Sequence, residues 1–148
     1  MYNCNHANSC PNVTINMEAN ANRLAPCGLI TYTVTINNED PNVSYGFFKD
    51  NLTCPLVFLP GSVTINGTAY PTLNPTTGFD VNFITQGNTI TITYMAKAYG
   101  DNCCCVKVTT CECCRNYKDI PNYATICYRQ CCQTKVLASN TVTTQVEY

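Results

Sequence analysis

Apolar and polar residues alternate along much of the chain. In LITYTVTIN, Ile30, Tyr32, Val34 and Ile36 fall on one face and Thr31, Thr33 and Thr35 on the other, the period-two pattern of a half-buried strand. NTITITYMAKA repeats it, with Ile90, Ile92, Tyr94 and Ala96 inward. Shorter runs do the same: VTINME through Val13, Ile15 and Met17, SVTING through Val63 and Ile65, and FDVNF through Phe79, Val81 and Phe83. ATICY adds Ala124, Ile126 and Tyr128, and NTVTTQV adds Val142 and Val146 in a last strand expected from Ser139 to Tyr148. Between them stand the turn signals NNEDPN, LPGS, INGT, NPTTG, TQGN and YGDN; GFFKDN and PGSV also read as turns. No stretch carries a helical period, and no internal repeat is visible. Seven or more short strands with frequent turns predict an all-β antiparallel sandwich.

Composition narrows the function classes. Thr and Asn supply 40 of the 148 residues, and charged residues only 11%. The net charge is −1, so there is no basic patch for nucleic acid. No paired carboxylates, serine triad or phosphate loop stand out, so the chain does not read as an enzyme. No cofactor or small-molecule ligand is expected. The first thirty residues lack the apolar run of a signal peptide or a membrane span, so neither is expected, and no membrane partner with them. The length suits one domain over 12–148, preceded by a polar arm, 1–11, expected to be flexible and carrying Cys4 and Cys10. A cysteine-rich insert is expected over 101–118.

The order of phrases resembles a known family. LITYTVTINNED, FLPGSVTINGTAYP, NTITITYMAKA, IPNYATICY and ASNTVTTQVEY follow one another as in the conserved repeat domain of bacterial surface proteins, domain of unknown function eleven. The match runs from about Val13 to Val146, apart from the cysteine insert. The resemblance implies an immunoglobulin-like antiparallel sandwich serving as a structural or adhesive module, as in spore-surface appendage or filament subunits. Family members typically carry a signal peptide, occur as repeats and lack a cysteine-rich insert, and this chain is expected to depart from them on each count. Related surface domains sometimes carry a Lys–Asn isopeptide bond; the early strand VTINMEANA has no lysine, so none is expected here.

Thirteen cysteines remain to be explained, nine of them between Cys103 and Cys132. Zinc would need four converging ligands, and no uninterrupted CxxC pair is present. A Cys₄ site from Cys111, Cys113, Cys127 and Cys131 is the alternative reading. Thiol catalysis would need a nearby base, and the only histidine, His6, is distant in sequence. Disulfides fit better. Adjacent Cα atoms lie ~3.8 Å apart, whereas bridged cysteines prefer ~4.4–6.8 Å, so neighbours seldom pair with each other. In an extended CCCVKV, Cys104 faces one way and Cys103 and Cys105 the other.

The expectation is therefore of staples aimed in two directions. Cys111, Cys113, Cys114, Cys127, Cys131 and Cys132 are the candidates for bridges within the chain. Cys4, Cys10, Cys103, Cys104 and Cys105 are the candidates for bridges to identical subunits. Cys27 and Cys54, in turns, either pair with each other or accept the arm of a neighbour. An odd cysteine count leaves at least one thiol free or bonded to another molecule. The four N-x-S/T sequons, at Asn12, Asn42, Asn51 and Asn66, are expected by chance in so Asn- and Thr-rich a chain and are assigned no role. The cysteines thus predict a disulfide-cross-linked, self-assembling subunit, and the resemblance implies a surface filament or appendage, with the bacterial endospore as its place. A thiolate zinc module and a surface adhesin domain are the alternatives.

Overall fold

The structure, a computed structural model, describes residues 11–98 and 117–147. Its centre is a pair of ten-residue strands, β3 (Leu29–Asn38) and β9 (Thr89–Ala98), after β1 (Val13–Ala19) and β2 (Arg23–Leu24). They run antiparallel in the register Ile30↔Ala96, Tyr32↔Tyr94, Val34↔Ile92 and Ile36↔Ile90. All eight of these side chains are buried, so the alternation read from the sequence is the inner face of one sheet. β1 adds to β3 along its whole length. β5 (Leu56–Phe58) and β6 (Thr64–Ile65) share the other edge of β9. β7 (Thr68–Ala69) closes a hairpin on β6 through Asn66 and Gly67, both at positive φ, the Asn-Gly turn whose twist suits a two-residue loop.

Facing this sheet is a four-stranded one in the order β12 (Gln133–Ala138), β11 (Ala124–Gln130), β4 (Tyr45–Asp50), β8 (Phe79–Asn82). Phe48 and Phe79 from this sheet and Tyr94 from the other pack rings together, with centroids 5.3 and 6.2 Å from Phe48. A third, three-stranded sheet orders β10 (Tyr117–Asn122), β13 (Val142–Glu147) and β2. β13 pairs β10 antiparallel and β2 parallel. The protein is an immunoglobulin-like antiparallel β-sandwich.

Four expectations change. GFFKDN is strand β4, not a turn. Its inward positions are Gly46, Phe48 and Asp50, so only one of three is apolar and the period is hidden. Gly46 is required there because a Cβ would come within 2.9 Å of Ile126 Cγ1. FDVNF ends as strand at Asn82, whose side chain accepts from Ile84 N and Thr85 N at 2.9 and 3.2 Å and starts a single helical turn, α1 (Phe83–Gln86). The last strand begins at Val142 rather than Ser139. Asn140, just before it, replaces strand pairing with a side-chain clamp: Oδ1 accepts from Met17 N at 2.8 Å and Nδ2 donates to Met17 O at 3.0 Å. Tyr117 and Lys118, placed by sequence in the cysteine-rich insert 101–118, open β10.

Candidate functional site

The registers give the sandwich two poles. At the first, β1 begins and β3 ends, joined where Glu39 N donates to Asn12 O. The β11–β12 turn lies here too. Gln130 reaches from it to donate through Nε2 to the carbonyl of Pro11 and, at 2.9 Å, to Asp40 Oδ2, while Lys135 Nζ donates to Gln130 Oε1 at 3.0 Å. The turn residues are Cys131 and Cys132, with φ of 51° and 62°. A two-residue hairpin loop wants positive φ twice and usually takes Asn-Gly; here two cysteines hold it. Both are disulfide-bonded. A cleft of about 270 Å³, lined by Asn42, Arg129, Gln130, Cys131 and Cys132, opens beside them.

At the opposite pole, Cys27 and Cys54 stand on either side of the end of β9. Cys27 N donates to Ala98 O at 2.7 Å, and Ala98 N donates to Gly28 O at 2.9 Å. On the other edge Leu56 pairs with Ala98, and Leu56 N closes the preceding turn onto Thr53 O at 3.0 Å. Cys27 is an exposed free thiol at φ 64°. Tyr117, where β10 begins, is at this end as well, with Arg23 Cζ 4.4 Å above its ring.

Of the cysteines singled out by sequence, Cys4, Cys10, Cys103, Cys104, Cys105, Cys111, Cys113 and Cys114 lie outside the described residues. Cys127 departs from its expected role in a bridge: it is a free, half-buried thiol on the outer face of the four-stranded sheet. It sits in one cross-strand row with Phe47 and Val136, on the face turned away from the core. The alternative zinc site loses a ligand, because Cys131 is in a disulfide and cannot serve as a thiolate. Cys27 and Cys54 do not bridge each other, since the Cys27 thiol is free. Among the described residues, no three His, Cys, Asp or Glu side chains come together to hold a metal. No described helix is long and apolar enough to cross a membrane.

A second polar feature went unread in the sequence. Asp50, only 1% exposed, ends β4 inside the core. Its Oδ2 accepts from the Tyr94 hydroxyl and, at 3.0 Å, from Asn122 Nδ2. Burial lifts its carboxyl to about 6, against the pull of those two donors and the Leu52 backbone. Burial also pushes the neighbouring Tyr32 phenol up to about 12, and holds Tyr94 well above the usual range for a phenol. The signal was available as a lone acid closing an aromatic run, GFFKD, but nothing local distinguishes it from a turn aspartate.

No family model matches the chain, and no curated protein matches it. Solved structures do. BcpA, the major pilin subunit of Bacillus cereus, crystallised as a single-residue variant, is similar at 13% identity and TM-score 0.58, over 90% of this chain and 40% of that one. The full-length major pilin SpaD of Corynebacterium diphtheriae is similar at 14% identity and TM-score 0.57, over 88% of this chain and 34% of that one. Domains D2 and D3 of SpaD give 14% and 0.56, over 88% and 51%. This chain therefore spans about a third to a half of the pilin chains it resembles. At such identities the likeness is one of fold: the sandwich is built like the domains of major pilins.

Proposed function

We propose that the protein is a non-enzymatic structural subunit that polymerises with copies of itself into a filament or appendage on a bacterial surface, most simply that of the endospore, with disulfides between subunits. The observation that carries this reading is the placement of cysteines at opposite poles. The arm bearing Cys4 and Cys10 joins the sandwich at Pro11, beside Cys131 and Cys132, whereas the exposed Cys27 thiol lies at the far end. Copies stacked pole to pole bring the arm of one to the thiol-bearing end of the next, a head-to-tail contact that need not close. Eleven residues reach at most ~36–40 Å, enough to cross such a contact. The pilin-like fold and the resemblance to the surface-protein repeat domain point the same way. Among the described residues, those lining the shallow hollow of about 450 Å³ between Ala19–Asn22 and Val142–Thr143 include no titratable group, so they offer no general acid or base.

The test is electrophoresis after boiling in SDS. A ladder or well-retained material in the unreduced lane, collapsing to monomer with reductant, is the expected result; monomer in both lanes would refute covalent assembly. A Cys4→Ser, Cys10→Ser variant should lose the ladder and keep its β-rich circular dichroism. An unchanged ladder would remove the arm from the account.

A further inference from the structure

The two poles differ in the oxidation state of their cysteines. Cys27 is an exposed free thiol, whereas Cys131 and Cys132 are both disulfide-bonded. A thiolate and a disulfide are the two reactants of thiol–disulfide exchange. Within one chain they are held apart. β3 runs from one pole to the other, and its ten residues at ~3.3 Å each span ~33 Å. Cys27 therefore meets Cys132 only across a contact between copies.

Both ends are built for such a meeting. Pro26 and Cys27 are the central residues of a turn that Gly28 N closes on Ala25 O at 2.9 Å, so the thiol stands at a tip. At the other pole, Cys131 is 7% exposed, but Cys132 is open to solvent. The cleft of about 270 Å³ beside Cys132 leaves room for an approaching turn. Arg129 in its wall sets a positive charge where a departing thiolate would form. Cys127 is also a free thiol, but it is half-buried on a sheet face and belongs to neither pole.

We propose that copies are joined by thiol–disulfide exchange, the Cys27 thiolate of one copy attacking the disulfide held by Cys132 of the next. The inference rests on the reading of the chain as a disulfide-linked homopolymer and adds how the link is made. Cys27 gives up its proton, and its Sγ bonds to the sulfur that Cys132 held. The bond to Cys132 breaks; Cys132 Sγ keeps the electron pair and takes up a proton. One thiol and one disulfide react and one of each results, so no oxidant is consumed. A copy joined at one pole still carries its unreacted group at the other, and the same step adds the next copy head to tail.

The test uses the full chain, isolated as monomer in acid, where thiols stay protonated, and then brought to pH ~8.5 with and without oxygen. The unreduced SDS ladder should grow equally in both, with the total of free thiols per chain unchanged. The new thiol should map to Cys132 by maleimide labelling and mass spectrometry. Cys27→Ser, with its β-rich circular dichroism intact, should give no ladder. A ladder that needs oxygen and loses two thiols per link, one that survives in Cys27→Ser, or a new thiol elsewhere than Cys132 would overturn exchange at these residues and leave covalent assembly standing. Monomer under both atmospheres would overturn covalent assembly and exchange together.

Discussion

The β3–β9 pair and the β11–β12 hairpin are both regular antiparallel ladders, yet they are held by different means. In β3 and β9 every second residue is buried, and the ladder is the floor of the core. β12 is largely exposed along its whole length, with Val136 68% accessible, and among the described residues its only strand partner is β11. Its register comes from the two-residue turn and from Gln130, bonded to Pro11, Asp40 and Lys135. Burial fixes the one, and local geometry with a few polar bonds fixes the other. A strand set by geometry is free to spend its surface on something other than the core.

That contrast can be broken experimentally. Ile92→Ala, in the middle of β9, should cost about 2–5 kcal/mol by urea unfolding, since it removes fully buried volume between close-packed neighbours. A loss under 1 kcal/mol would mean that the ladder does not rest on burial. The next largest effect concerns pH. The Asp50 carboxyl is raised from 3.8 to about 6 in the folded chain. A raised acid is neutral where folding favours it, so its contribution is complete below about 3.8 and lost as pH climbs through 6. That loss is about 3 kcal/mol, at ~1.4 kcal/mol for each of two units. Asp50→Asn should flatten stability between pH 4 and 8; a variant retaining the wild-type slope would assign the titration elsewhere.

Smaller effects sharpen the boundary. Asn140→Ala removes both bonds to Met17 and should cost about 1–2 kcal/mol, with faster amide exchange at Met17. Val136→Ala, on the exposed strand, should change stability by less than about 0.5 kcal/mol. A larger loss would show that β12 packs more tightly than its exposure implies.

How far the sequence could be read follows the same division. Ile30, Tyr32, Val34 and Ile36, and Ile90 through Ala96, were visible because burial selects apolar side chains at every second position. β4 was not, because its inner row pairs Phe48 with a glycine demanded by Ile126 and an aspartate bonded across the core. β12 was invisible for the opposite reason: an exposed strand imposes no period. The α1 turn at Phe83 hid behind a residue that is buried either way. The polar junction could not be read at all, since Tyr32, Asp50, Asn122 and Thr144 are far apart in the chain and meet only through tertiary pairing. For the cysteines, adjacency spoke against self-pairing but did not separate Cys127, which faces outward as a thiol, from Cys131 and Cys132, four and five residues on.

The position of Pro11 has a mechanical consequence. Were copies linked through the arm at one pole and the Cys27 end at the other, as proposed, tension would enter the sandwich at the start of β1 and run along the strand axis. β1 is paired with β3 over seven residues, so its ladder is loaded in shear and the hydrogen bonds must fail together. The same ladder peeled from its end would open one bond at a time. A fibre whose links join at this point would stretch its connectors long before it unravelled its subunits.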